Sequence, residues 1–273
     1  MTAPILVTGG TGALGRLVVP RLRDTGSNVR VLSRSARERE LGIEFVAADL
    51  ATGEGVDAAV EGVETIVHLA GSAKGDEVKA QRLVEAASRV GVRHIVYISV
   101  VGADRIPVTS AIDRMMFGYF ASKRAAEQII ADSGIPWTTL RATQFHTLTL
   151  TTAEQMAKLP VVPVPSGFKF QPIDPAEVAD RLVELALRPP AGFVPEMAGA
   201  KIYEMSELVR SYLRASGKRR LLMPVRMPGN AAAAFRAGAN LDPERAVGRR
   251  TWEEFLTEHV GAPSDREFVP VQQ

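Results

Sequence analysis

Eight residues near the N-terminus, Thr8-Gly9-Gly10-Thr11-Gly12-Ala13-Leu14-Gly15, constrain this chain more than any others. Gly9, Gly12 and Gly15 recur at every third position. They lie between an apolar run ending at Thr8, which reads as a buried strand, and a run with Leu14, Leu17, Val18 and Leu22 on one helical face. A strand that turns into a helix in this way needs its first glycine for a tight turn. The second lets a ligand approach the backbone, and the third lets helix and strand pack closely. The free N–H groups and positive dipole end of the helix then face the ligand, which selects an anion such as a pyrophosphate. Arg16 follows Gly15 where a nucleoside triphosphate loop would carry Lys and then Ser or Thr, so that reading is disfavoured.

The rest of the first half alternates short β-type runs with helical ones. Strands are expected at 4–8, 29–32, 43–47, 65–69, 94–98 and 137–140, and helices at 13–24, 57–60, 76–90 and 113–132. This spacing predicts an α/β fold: a Rossmann-type, doubly wound parallel sheet with a smaller C-terminal substrate-binding lobe. The nucleotide unit is expected over 1–145, completed by 174–190, and the lobe over 146–273. The proline-rich stretch 159–172 reads as a loop or irregular hairpin. Asp174-Pro175 opens a helix, with Asp as N-cap and Pro in the first turn. Further helices are expected near 206–215, 231–239 and 251–259. A ligand should lie at the carboxyl ends of the strands, where strand order switches.

Composition removes other classes. A chain that is 46% hydrophobic and 23% charged is not disordered. Without cysteine it has no disulfides, thiol nucleophile or thiolate metal site, and no metal centre is expected. With 33 basic and 31 acidic residues the net charge is +2, which calls for neither nucleic acid nor a membrane. The basic run 210–226 reads as a solvated helix face. The first residues lack the basic start and long apolar stretch of a secretory leader, so a cytoplasmic location is expected. The small-residue run at 231–239 leaves a homo-oligomer open.

The anion-binding loop and βαβ pattern point to a dinucleotide, held at Gly9, Thr11, Gly12, Ala13, Leu14 and Gly15. An NAD site carries an acid after the second strand, to bind the ribose 2′-hydroxyl. Here that place reads Ser33-Arg34, and Arg34 can fork onto a 2′-phosphate with the Ser33 hydroxyl beside it. NADP(H) is therefore expected over NAD(H), with Arg37 and Arg39 as solvated loop charges. Asp49 and Leu50, after the third strand, are placed for the adenine. Ala70-Gly71 ends the fourth strand without bulk, which suits a nucleotide lying across it.

At this point the sequence resembles the short-chain dehydrogenase/reductase superfamily, and within it the atypical NmrA-like NAD(P)H-binding branch. The likeness rests on Thr8 to Gly15, on Ser33-Arg34, and on His94-Ile95-Val96-Tyr97-Ile98-Ser99. It extends to Lys123-Arg124-Ala125-Ala126-Glu127, Pro136-Trp137-Thr138-Thr139-Leu140-Arg141 and Thr251-Trp252-Glu253-Glu254-Phe255-Leu256. The resemblance implies a nicotinamide cofactor and, in catalytic members, a Ser-Tyr-Lys set. The Tyr-x-x-x-Lys element is present as Tyr119 and Lys123, which share a helix face. Lys123 would lower the tyrosine pKa and hold the nicotinamide ribose, and Tyr119 would pass a proton to the substrate. Ser99 is the hydroxyl at the end of the fifth strand, while Val101 stands where related proteins often carry a second one. Gln144, Phe145 and His146, after the sixth strand, are candidate substrate contacts. The expected activity is NADP(H)-dependent reduction, or the reverse oxidation, of a small carbonyl- or quinone-like molecule. The alternative is a non-catalytic NADP(H)-sensing regulatory protein with a protein partner.

Overall fold

Seven parallel strands form the central sheet of the computed structural model, in the order β3-β2-β1-β4-β5-β6-β9. They are β1 (Ile5–Thr8), β2 (Val29–Ser33), β3 (Ile43–Ala47), β4 (Thr65–His68), β5 (His94–Val100), β6 (Trp137–Ala142) and β9 (Gly192–Phe193). The structure describes residues 3–35, 42–72 and 74–260; Arg37 and Arg39 lie outside them. Their apolar runs are continuous because both faces of a parallel sheet are covered. On one face Val7, Val31, Val67, Val96 and Leu140 pack against α1 (Gly15–Asp24) and α6 (Pro175–Ala186). On the other, Leu6, Leu32, Ile66, Ile95 and Tyr97 pack against α2 (Val56–Val60), α3 (Asp76–Val90) and α4 (Ala111–Ala131). The chain winds outward from β1 to β3 and then returns to β4, so strand order switches between β1 and β4.

Helix starts follow local chemistry. Ser110 and Asp113 form a capping box at α4: the Asp113 N–H donates to Ser110 Oγ at 3.0 Å, and the Ser110 N–H to the Asp113 carboxylate at 3.1 Å. Asp174 caps α6 by accepting from the Ala176 N–H at 2.8 Å.

Beyond β6 the chain adds α5 (His146–Met156), β7 (Val161–Pro165), β8 (Lys169–Phe170), β10 (Tyr203–Glu204), α7 (Met205–Ala215), β11 (Leu221–Val225), α8 (Asn230–Arg236) and α9 (Trp252–His259). Helices α5, α7 and α9 share a core with Trp252, Phe255 and Tyr212. A second small core gathers Phe117 of α4, Phe168 and Phe235.

Two expectations need correction. The stretch 159–172 is not a hairpin: β7 runs parallel to β11, and β8 antiparallel to β10. Val162 and Val164 point inward, which places Pro163 and Pro165 on the opposite side of an edge ribbon, where proline is tolerated. The basic run 210–226 is not one helix face. Helix α7 ends at Ala215, so Lys218, Arg219 and Arg220 precede β11 and Arg226 follows it. The seventh strand, β9, was not expected; at two residues it is too short to leave a periodicity.

A buried ion pair pins α4 to the sheet. Arg141 of β6 donates through Nε and Nη2 to the two carboxylate oxygens of Glu127, each at 2.8 Å. Asp104 adds a third contact at 2.7 Å. Removing Glu127 leaves the buried Nε and Nη2 of Arg141 without their carboxylate, while Asp104 and Glu196 still face Nη1. Glu127→Ala is therefore expected to lower the unfolding free energy by about 2–3 kcal/mol, less than stranding the charge outright would cost, read as a drop in urea midpoint with little change in slope.

Candidate active site

The glycine loop leaves the carboxyl end of β1 and passes over the end of β4. Gly9 sits at φ +68°, and a Cβ there would lie 2.7 Å from the Ala70 amide nitrogen, so neither its backbone angle nor its surroundings admit a side chain. At Gly15 a Cβ would meet the Gly9 carbonyl oxygen at 2.3 Å, which is why α1 can start directly beneath the loop. The Gly12 N–H closes the turn on the Gly9 carbonyl at 3.0 Å. Unlike α4 and α6, α1 has no side-chain cap at its N-terminus. The Arg16 and Leu17 N–H groups donate to the Gly12 and Leu14 carbonyls, each at 3.0 Å, so the N–H groups left to face an anion are those of Ala13, Leu14 and Gly15.

Thr8 fastens the two strand ends together. Its hydroxyl lies 2.6 Å from His68 Nδ1 and accepts from the Ala70 N–H at 3.3 Å. His68 is fully buried and stacks on Tyr97 with ring centroids 5.3 Å apart. Burial and the nearby Lys123 charge push its pKa down to about 3, so its ring is neutral near neutrality.

Lys123 of α4 is buried and reaches the same edge. Its ammonium donates to the Ile98 carbonyl at 3.2 Å and lies 3.1 Å from Asp76 Oδ2. It also sits 5.0 Å from the centroid of the Tyr97 ring and 5.8 Å from that of Tyr119. Burial alone would lower the lysine pKa, but the oxygens of Tyr97, Tyr119 and Asp76 around it more than offset that. Burial likewise opposes ionisation of Asp76. Lys123, the Ser72 N–H and Lys79 outweigh it and hold the carboxyl below its ordinary value. Asp76 is in turn fixed by its own N–H, which donates to Ser122 Oγ at 3.0 Å. A Cβ at Gly71 would stand 3.2 Å from the Lys123 ammonium, so the bare backbone there keeps the approach to it open.

Tyr119 shares this helix face and retains 37% of its surface. The expected lowering of its pKa is not found. Crowding around its hydroxyl raises the pKa by more than Lys123 lowers it, because Asp76 already neutralises much of the lysine's charge. Tyr119 is thus a protonated donor at neutral pH.

The other expected positions fall as follows. Ser33 is buried at the end of β2 and Arg34 is exposed beside it. Asp49 follows β3, where Oδ1 accepts from the Ala51 N–H at 2.7 Å, and Leu50 is buried. Thr11, Ala13 and Leu14 lie in the loop over the start of α1, and Ala70 and Gly71 end β4. Ser99 is 5% exposed, and its hydroxyl has no hydrogen-bond partner among the described residues. Gln144 and Phe145 are half-buried just past β6. His146 offers a ligand no surface. It is fully buried, bonded to the Arg250 carbonyl at 3.1 Å and stacked on Phe255 and Trp252. Sequence reasoning missed Asp76 and Tyr97. The one available signal was a carboxylate in the first turn of the helix that follows Gly71.

The arrangement fits a dinucleotide. A cradle that any Cβ would fill, an uncapped helix start and the unpartnered Ser99 hydroxyl lie along one edge of the sheet. The fold and this edge define a nucleotide-binding α/β protein. Residues 9–189 match the NAD(P)H-binding family, and the chain belongs to it. Over 179 residues it is 34% identical to the (4-alkanoyl-5-oxo-2,5-dihydrofuran-3-yl)methyl phosphate reductase of Streptomyces griseus, a match covering 64% of this chain and 60% of that protein. It is 30% identical over 258 residues to the ceramide reductase of Caulobacter vibrioides, covering 87% of this chain and 77% of that one. Its fold is shared with the NADPH-dependent quinone oxidoreductase of Escherichia coli, solved with NADPH. The TM-score is 0.77 at 22% identity, over 93% of this chain and 99% of the other.

The depressed His68 pKa predicts an acid-labile strand junction. Unfolding restores the ring to its ordinary value of 6.5, so the unfolded chain takes up a proton that the folded one refuses. Stability should fall as pH drops from 6.5 towards 3, with a slope of up to about 1.4 kcal/mol per pH unit from this residue. Urea unfolding at several pH values checks it: His68→Asn should show a correspondingly shallower acid slope than the wild type.

Proposed function

We propose that the protein is an NADP(H)-dependent oxidoreductase of the atypical short-chain dehydrogenase/reductase type. Its substrate would be a small carbonyl- or quinone-like molecule, reduced in one direction and regenerated in the other. The observation that carries this reading is the pairing of Lys123 with Tyr119 on one face of α4, beside a glycine crevice at the strand switch point. Relatives named as reductases support it.

In this reading Gly9, Gly12 and Gly15, with the amides of Thr11, Ala13 and Leu14, hold the pyrophosphate. Arg34 and Ser33 take the 2′-phosphate, and Asp49 and Leu50 border the adenine. Ala70, Gly71 and Ser99 line the path across the sheet. When bound there, the nicotinamide supplies or accepts hydride. Lys123, held by Asp76 and the Ile98 carbonyl, presents a fixed cation through the gap at Gly71. Tyr119 donates the proton that a reduced carbonyl oxygen requires. The lobe built from 146–273, with Gln144 and Phe145 at its border, frames the substrate, while 174–190 completes the nucleotide unit. A cytoplasmic location suits a protein drawing on reduced NADP.

A second reading rests on Ser99. Its buried hydroxyl offers little to a substrate, and a carbonyl reductase without that donor forgoes transition-state stabilisation of about 3 kcal/mol. A non-catalytic NADP(H) sensor would keep the whole binding edge and need no such donor.

Two variants test the proposal. Arg34→Ala should weaken NADPH binding by roughly 10- to 100-fold and leave NADH binding unchanged in fluorescence titration. Equal affinity of the wild type for the two would contradict NADP selection. Tyr119→Phe should lower NADPH-dependent turnover by about 100-fold or more at nearly unchanged NADPH affinity; full activity would remove Tyr119 from the chemistry.

A further inference from the structure

We propose that β11 and the segment before it form a docking surface for an anionic lipid bilayer. Between Leu208 and Leu241 the chain holds seven arginines and lysines and no acidic residue, although its net charge is only +2. The whole-chain balance that argued against a membrane partner averages over this stretch. Lys218, Arg219, Arg220 and Arg226 are all exposed and bracket β11. The polar contacts of Lys218 and Arg220 go to neutral oxygens: the Tyr212 hydroxyl at 3.3 Å, and the Ala157 and Arg219 carbonyls at 3.1 and 2.9 Å. Among the described residues no carboxylate pairs with any of the four.

The strand between these charges is apolar and turned outward. Leu221 is 73% exposed, Met223 49% and the neighbouring Val161 of β7 41%. Alternation sets Leu221, Met223 and Val225 on one face of β11, and the register lays Leu221 beside Val161 and Met223 beside Pro163. Leu222, between them, faces the small-lobe core. An exposed apolar ribbon rimmed by exposed cations matches the two forces that hold a protein at a bilayer surface. Apolar side chains enter the acyl boundary, and basic ones sit in the negative surface potential. Among the described residues no helix is long and apolar enough to cross a membrane, so the contact is peripheral.

Three other occupants fit less well. A second copy seated on the same patch would face these basic residues with its own, and no acid in the stretch relieves the repulsion. A peptide strand added at the edge would miss the amide donors that Pro224, Pro163 and Pro165 lack. A nucleic acid would find no aromatic ring between Lys218 and Arg226 on which to stack a base.

The test is flotation of the full chain with vesicles of phosphatidylcholine and phosphatidylglycerol in a roughly two-to-one ratio, and with vesicles of phosphatidylcholine alone. Binding is expected to the mixed vesicles only, and it should weaken as salt is raised. The double variant Leu221→Glu, Met223→Glu should abolish it. Arg219→Ala with Arg226→Ala should reduce partitioning by about 30-fold, near fivefold for each charge. Both arginines are exposed, so the pair tests the surface even where the glutamates disturb the lobe. NADPH titration and circular dichroism of each variant serve as fold controls, and vesicle binding is read without turnover, so it stands or falls apart from the reductase reading. Folded wild-type protein that ignores the mixed vesicles would overturn the proposal, as would binding that survives in the folded variants. A stable dimer in sedimentation velocity that the double variant dissociates would assign the surface to a second copy instead.

Discussion

The contact between the end of β1 and the end of β4 is the constraint on which the rest of the site depends. Gly9 can cross the Ala70 backbone only because it has no side chain, and Thr8 bonds to both His68 and the Ala70 N–H at the same point. The two strands flank the place where strand order switches, and the glycine turn lies at that place. A bulkier loop would separate β1 from β4 and lift α1 away from the sheet. The uncapped start of α1 and the junction of the sheet are therefore one structure.

Helix α4 borders that edge, and two buried charges fix it. Glu127 holds Arg141 of β6, while Lys123, four residues earlier, holds Asp76 of α3 and the Ile98 carbonyl of β5. With both turns tied to the sheet layer, the preceding turn has little freedom, and that turn bears Tyr119. The same pairing accounts for two of the motifs in the sequence: the Lys-x-x-x-Glu of α4, and the Arg at the end of the sixth strand. Buried ion pairs contribute little net stability, but breaking one is costly, so they favour a single placement of the helix.

Much of the fold was legible because its signals are local. Strands buried on both faces read as continuous apolar runs, and α1, α3 and α4 show helical periodicity. The second half was less so. Strands β8, β9 and β10 have two residues each, and β7 finds its partner, β11, some sixty residues later. At the site, the glycine loop and the Tyr119–Lys123 pair were visible because each lies within one turn or one helix. Asp76 was not, since only the packing of α3 on α4 brings it to Lys123. His146 misled for the converse reason. It follows a strand at the ligand edge, but the first turn of α5 carries its ring into the small-lobe core against Phe255. The tyrosine pKa was misjudged because the crowding around its hydroxyl, and after it the carboxylate beside the lysine, come only with the folded packing.

The central claim is that this edge binds NADPH and delivers its hydride to an acceptor, and isotope transfer tests it most directly. NADPH carrying deuterium at the transferring position of the nicotinamide would be mixed with the protein and, in turn, a quinone and a ketone, with NADPH limiting. Deuterium appearing in the reduced acceptor, with oxidation slower than for unlabelled NADPH, is the expected result. Saturable NADPH binding with no oxidation and no label in any acceptor across a broad panel would contradict it and leave the protein a sensor of the cofactor.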